Sequence, residues 1–227
     1  MRRLGKAALL LLALSLAYLA VAATWAAASI DELLARQPAT HVSQLSPRQL
    51  GILLAIEDPT FFSHHGLSLA DGQGLATISS AVARDLFLYD AQMQGGKGRL
   101  QDFYRGVFEC CKKVDLGRDM MALVLDASMS KERQLGLYVS SVYMGRHEGQ
   151  QMRGLEAAAP AYLGKPLAAA SDDEMAGLVA RIQAPNEFHP VRNRAAYELR
   201  LTRVRAVLAG RCKPAGWFDT AYAHCSN

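Results

Sequence analysis

An all-α fold is predicted for this chain by three observations. Alanine and leucine dominate a composition that is 51% hydrophobic. Proline is sparse, at 8 residues in 227. No run alternates apolar and polar residues with the period of two that marks a half-buried strand. The length suits one domain with attachments and is enough to bury a sizeable core. Lys and Arg number 25 against 21 Asp and Glu, a net charge of +4. That balance is too mild to argue for nucleic acid, and it suits anionic lipid head groups or a pyrophosphate equally well.

The chain opens with Arg2, Arg3 and Lys6, followed by an uncharged apolar run from Ala7 to about Ala28. At about 1.5 Å per residue this run can cross a hydrocarbon core about 30 Å thick. The basic tip should stay in the cytoplasm and place the rest of the chain on the far side. A cleaved signal peptide is the alternative, because Ala26-Ala27-Ala28 before Ser29 resembles a small-residue cleavage site. The length of the run favours an uncleaved anchor. Residues 1–28 are therefore assigned to the tip and anchor, 29–45 to a helix and linker, 46–210 to the main domain and 211–227 to a tail.

Ser29-Ile-Asp-Glu32 reads as a capping box opening a short helix to about Arg36. Ser46 and Pro47 are good N-cap and N1 residues for the next helix, Leu50 to Ile56, which ends in the acidic pair Glu57-Asp58. Pro59 biases Asp58 away from helical geometry. Glu57 thus stands at a helix C-terminus, without the help a helix N-terminus gives a carboxylate. Apolar neighbours would push its pKa up, which suits general-base work near neutral pH. Simple capping of a helix end is the plainer explanation of the same pair.

Gly66–Gly74 holds three glycines and reads as a loop, with a helix expected from about Thr77 to Leu88. In Tyr89–Lys113 the glycines at 95, 96 and 98 suggest mobility, ahead of a short helix over Gln101–Phe108. Helices follow over Met120–Met129 and, capped by Ser130, over about Lys131 to Tyr143, then a loop at Gly145–Gly149. Ser171-Asp-Asp-Glu174 is a second capping box, for a helix to about Gln183. Asn193 caps a last long helix that Gly210 ends. Along it, Arg192, Arg194, Arg200, Arg203 and Arg205 read as a solvated face. Of the four cysteines, 212 and 225 offer the simplest disulfide, closing a short loop at the tail, whereas the adjacent Cys110 and Cys111 could not readily bond each other.

The motifs sharpen this picture. Glu57, Asp58, Phe61, His64 and Gly66 fit E-D-x-x-F-x-x-H-x-G, which resembles the first signature of glycosyltransferase family 51. These are the peptidoglycan glycosyltransferases, monofunctional or part of bifunctional penicillin-binding proteins. The run Gly74 to Leu86 is similar to the family's G-G-S-T-I-T-Q-Q-L-A-K-N-L. It keeps Thr77 and Ile78, has Ser79 and Arg84 for Thr and Lys, and replaces the glutamine pair by Ser80 and Ala81. Ala122-Leu-Val-Leu-Asp126 matches the end of the third signature, but the family's second glutamate falls on Arg118, with Asp119 next and Asp115 three residues earlier. A guanidinium stays protonated and cannot act as a carboxylate. Either Asp119 or Asp115 substitutes, or catalysis is impaired. The fourth signature is similar from Ser130 to Gly145, with Gly136 and Ser140 for Glu and Asn. The resemblance extends in order from about Leu50 to Leu208.

Such a resemblance implies a lysozyme-like α domain at 46–210 behind an N-terminal transmembrane helix, on the outer face of the cytoplasmic (inner) membrane. It implies lipid II and the nascent glycan strand as substrates, other cell-wall synthesis proteins as partners, and no nucleic acid. Glu57 would be the catalytic base with Asp119 as the second carboxylate. Asp58, Phe61, His64, Thr77, Ser79, Ser80, Arg84, Arg118 and Lys131 would bind substrate. No tightly bound cofactor or metal is implied, although a divalent cation, magnesium or manganese, would accompany the pyrophosphate. The rival classes are a catalytically impaired relative acting as a scaffold or regulator, and a lysozyme-like hydrolase with Glu57 as general acid. His64 is read as a structural hydrogen-bonder near Glu57. Ser128-Met-Ser-Lys131 fits a transpeptidase nucleophile motif, but its companion elements are missing and Ser130 serves better as a cap.

Overall fold

A computed structural model describes residues 2–37, 45–74, 76–110 and 115–226. They fall into two compact units. The first comprises the described residues of Met1–Pro38, His65–Leu67 and Ser79–Met129, and the second those of Ala39–His64, Ser68–Ile78 and Ser130–Asn227. The linker expected over 37–45 lies almost wholly outside the described residues, as does Cys111.

In the first unit, α1 (Arg2–Leu34) is one continuous helix. Ser29 does not open a separate helix. It lies in an alanine-rich stretch of high helix propensity with no glycine or proline to break it, and its side chain is buried. The helix has two halves of different character. Leu9, Leu10, Leu11, Leu12, Leu14 and Leu16 are exposed, whereas Ala22, Trp25, Ala26, Ile30 and Leu33 are buried. Trp25 lies between Phe87 and Tyr104, at ring-centroid distances of 5.8 and 5.6 Å, and its Nε1 donates to the Lys97 carbonyl. The same unit holds most of α3 (Ile78–Arg84), a π-helical turn at Asp85–Tyr89, α4 (Gly95–Cys110) and α5 (Leu116–Ser128). The glycines at 95, 96 and 98 therefore form the first turn of a 16-residue helix instead of a mobile loop. Gln101, wholly buried, fastens that helix by donating to the carbonyls of Phe87 and Ala91 and accepting from the Met93 amide.

The second unit is built on α2 (Pro47–Glu57), α6 (Lys131–Ser141), α7 (Leu155–Leu163), α8 (Asp172–Ile182) and α9 (Arg194–Leu208). Helix α2 packs on α8 and α9 through Leu53 and Ile56, which meet a core containing Met175, Leu178, Val179, Leu201 and Val204. The region expected as a loop after α6 is an antiparallel hairpin, β1 (Tyr143–His147) and β2 (Gln150–Arg153). Its two-residue turn places Glu148 and Gly149 both at positive φ, 49° and 82°. Strands of five and four residues are too short to show alternation, so composition hid them. Buried Arg181 of α8 stacks on Tyr162 at 3.5 Å and donates to the carbonyls of Met144 and Phe188. The Cys212–Cys225 disulfide closes the tail, as the spacing suggested, and Cys110 is exposed.

Candidate active site

Helix α2 exists to deliver its last residue. Ser46 and Gln49 form a reciprocal capping box with Pro47 at N1. Gln49 is buried and donates to the carbonyls of Leu167 and Ala170, each at 3.0 Å, so the start of the helix is anchored. Asp58 leaves helical geometry at φ −160°, ahead of Pro59. Glu57 is therefore fixed at the final helical position.

The Glu57 side chain is half-buried. Its Oε2 accepts a 2.9 Å hydrogen bond from the Tyr138 hydroxyl of α6. Burial pushes its pKa from 4.5 to about 7, against the lowering effects of the Tyr138 hydrogen bond and of Arg200, with Asp58 adding a small upward push. The backbone around it is also held. Gln73 Nε2 donates to the Glu57 carbonyl at 3.0 Å, and the Tyr222 hydroxyl donates to the Ile56 carbonyl at 3.2 Å. These satisfy carbonyls that the end of a helix leaves without intrahelical partners.

Asp58 is wholly buried and has a different task. Its carboxylate faces His64 Nε2 at 3.0 and 3.1 Å and accepts from the Ile78 amide at 2.9 Å. His64 thus bonds to Asp58, the residue after Glu57, as a structural hydrogen-bonder near Glu57. Phe61 is buried, lies 6.1 Å from the His64 ring and carries Lys131 Nζ over its face at 4.7 Å. Thr77 is buried beside Ile78 in the chain. Glu57, Asp58, Phe61, His64, Thr77 and Lys131 all belong to the second unit.

The remaining residues singled out in the sequence belong to the first unit. Ser79 and Ser80 are fully buried, and Arg84 pairs with Asp85 at 2.6 Å. Arg118 is buried and clamps Asp119 Oδ1 through Nε and Nη2, at 3.0 and 2.5 Å. Burial raises the Asp119 pKa, with Arg118 opposing. Asp115 is the N-cap of α5, accepting from the amides of Gly117 and Arg118. That leaves Asp119 as the carboxylate of this pair not consumed by backbone capping.

Sequence reasoning missed four residues around Glu57: Gln73, Tyr138, Arg200 and Tyr222. Tyr138 sits inside the fourth signature but carried no assigned role. Arg200 is the plainest correction, because it is only 3% exposed and is no part of a solvated face. Its spacing from Leu201 and Val204 places it at the edge of the buried stripe of α9, which the abundance of arginine on that helix concealed. Arg205, by contrast, forms the exposed pair with Asp173.

Among the described residues, the potential metal ligands that converge are Cys212, His224 and Cys225, and two of these are joined in the disulfide. Asp58 is committed to His64 and Ile78.

Glu57 is thus a half-buried carboxylate of raised pKa at a helix end, in a helical protein that carries these motifs in order. The transglycosylase family profile matches residues 27–210, and the chain belongs to that family, glycosyltransferase family 51, whose domain is lysozyme-like. Penicillin-binding protein 1B of Escherichia coli is 32% identical over 144 residues, covering 62% of this chain and 16% of that protein. Penicillin-binding protein 1B of Vibrio cholerae is 30% identical over 144 residues, with 62% and 18% covered. Penicillin-binding protein 1A of Escherichia coli is 27% identical over 170 residues, with 69% and 17% covered. The chain thus spans less than a fifth of the length of these relatives.

Proposed function

We propose that this chain polymerises lipid II into glycan strands, with release of undecaprenyl pyrophosphate. The observation that carries the reading is Glu57, a carboxylate poised near neutral pH and oriented by Tyr138. A general base works best with a pKa near the working pH. Tyr138 engages Oε2, and Oε1 takes the proton from the 4-hydroxyl of the acceptor sugar. The acceptor oxygen attacks C1 of the donor, the C1–O bond to the pyrophosphate breaks, and the anomeric centre inverts. The charge that develops on the pyrophosphate calls for cations, and Lys131, in the same unit as Glu57, is the candidate.

Helix α1 is long and apolar enough to cross a membrane. Burial of Trp25, Ala26, Ile30 and Leu33 supports an uncleaved anchor, since loss of 1–28 would strip Trp25 and Ala26 from the first unit. The placement that follows is a single-pass inner-membrane protein with its N-terminus in the cytoplasm. The disulfide suits an oxidising compartment on the far side. Both substrates carry lipid tails, so anchoring makes the encounter two-dimensional.

One observation favours a second reading, a binding-only scaffold for lipid-linked precursor or cell-wall partners. Arg118 stands in the register of the family's second glutamate and ties up Asp119. Polymerisation of labelled lipid II by the detergent-solubilised chain, beside Glu57→Gln, separates the two. Strands from the wild type, lost in the variant, support the polymerase. Lipid II binding without product supports the scaffold.

A further inference from the structure

The tail after α9 is built against the end of α2. Its loop, closed by Cys212–Cys225, contains Gly216, Trp217, Thr220 and Tyr222. Gly216 and Trp217 accept through their carbonyls from the amides of Gly72 and Gly74, at 3.0 and 2.8 Å. The fit is close enough to need glycine on the other side. A Cβ on Gly72 would stand 2.5 Å from Pro214 Cγ, and one on Gly74 would stand 2.9 Å from Thr220 Cγ2. Gln183 Nε2 holds Thr220 Oγ1 at 3.0 Å.

Two buried side chains link this tail to the site. Tyr222, 2% exposed and held at a φ of 51°, donates to the carbonyl of Ile56, the residue before Glu57. Arg200 donates from Nη1 to the Thr220 carbonyl at 2.8 Å and lies 4.8 Å from the centre of the Tyr222 ring. Its Nε is buried with no hydrogen-bond partner among the described residues. A buried guanidinium that is not fully satisfied is costly, and one that serves only to fill space is readily replaced by an apolar residue. The charged groups that bear on Glu57 are Arg200 from α9, Asp58 beside it in the chain and, when ionised, Tyr222 from the tail. Tyr138 from α6 adds its hydrogen bond, and the charges of Asp219 and Arg203 act on Arg200.

We propose that Arg200 and Tyr222 are a positioning pair for Glu57, held in register by the disulfide-closed tail. The inference rests on the reading of Glu57 as the reacting base, and neither member touches substrate. Arg200 favours the ionised carboxylate through its charge. Tyr222 keeps the last turn of α2 closed, which limits the water that reaches the half-buried Glu57. Their removal therefore acts in opposite directions on the same carboxyl group.

The test is a titration of the Glu57 carboxyl carbon by NMR in the full-length, detergent-solubilised chain with ¹³C-labelled glutamate, assigned with Glu57→Gln. Arg200→Met should raise the midpoint by about one pH unit, a tenfold change in proton affinity. Arg200→Lys should return it to the wild-type value. Tyr222→Phe should lower the midpoint toward that of a solvated glutamate, and reduction of the disulfide should do the same. Should Arg200→Met not fold, Arg200→Gln carries the same expectation. A tail that merely stabilises the fold would move every variant downward together, or none. Any pattern other than opposed shifts overturns the pairing. The titration needs no substrate, so its outcome is separate from whether lipid II is polymerised. If the chain does polymerise lipid II, the acid limb of kcat should follow the same opposed shifts with KM unchanged.

Discussion

The Tyr138 hydroxyl donates to Glu57 Oε2 at 2.9 Å, joining the C-terminal half of the fourth signature's helix to the end of the first signature's helix. This bond opposes the effect of burial by favouring the charged carboxylate. Tyr138→Phe removes that one donor and leaves the ring. The acid limb of the pH–rate profile should move up by about one unit, with a loss of up to about tenfold in rate below it and recovery toward pH 9. A uniform loss at every pH would show that Tyr138 acts otherwise.

The same carboxyl makes stability depend on pH. Its folded pKa of about 7 lies above the unfolded value of 4.5, so the folded state holds the proton more tightly. The stability this contributes is full below about pH 4.5 and is lost as pH rises through about 7. Glu57→Gln, which cannot ionise, should therefore gain on the wild type with rising pH, by on the order of 2 kcal/mol at pH 8. Thermal unfolding of both proteins at pH 4.5 and pH 8 measures the difference.

Asp58 is a structural member of the site. It has no exposed surface and serves both His64 and the Ile78 amide. Asp58→Ala leaves these groups buried without their acceptor and should cost about 2–4 kcal/mol by chemical denaturation. His64→Ala should cost less, because Asp58 keeps Ile78.

Reduction of the Cys212–Cys225 bond frees a tail closed over a separation of 13 residues. In the chain-entropy account a loop of that size is worth about 3 kcal/mol. A melting curve with and without reductant should show a clear fall in Tm, absent in Cys212→Ser/Cys225→Ser.

The sequence displayed the scaffold well. Ser46-Pro47 and the capping box at Ser171–Glu174 marked helix starts that the structure reproduces, and Cys212 and Cys225 pair as their spacing suggested. Local signals misled where tertiary context decided. Ser29 looks like a cap but is embedded in a helix that continues through it, and Gly95 to Gly98 look loose but start α4. The hairpin at 143–153 had strands too short to read. Glu57 was legible because a proline ends its helix at once. The shell around it was not, because Gln73, Tyr138, Arg200 and Tyr222 come from four separate segments that only folding brings to the end of α2. Arg200 was hidden further by its neighbours, since one buried arginine among exposed ones has no compositional mark.

The most direct test of the central claim is the pH dependence of lipid II polymerisation by the full-length chain. With Glu57 as base, the rate should rise through an acid limb near pH 7 and vanish at every pH in Glu57→Gln. Glycan strands still made by Glu57→Gln, or a wild-type chain that binds lipid II but makes none at any pH, would contradict it.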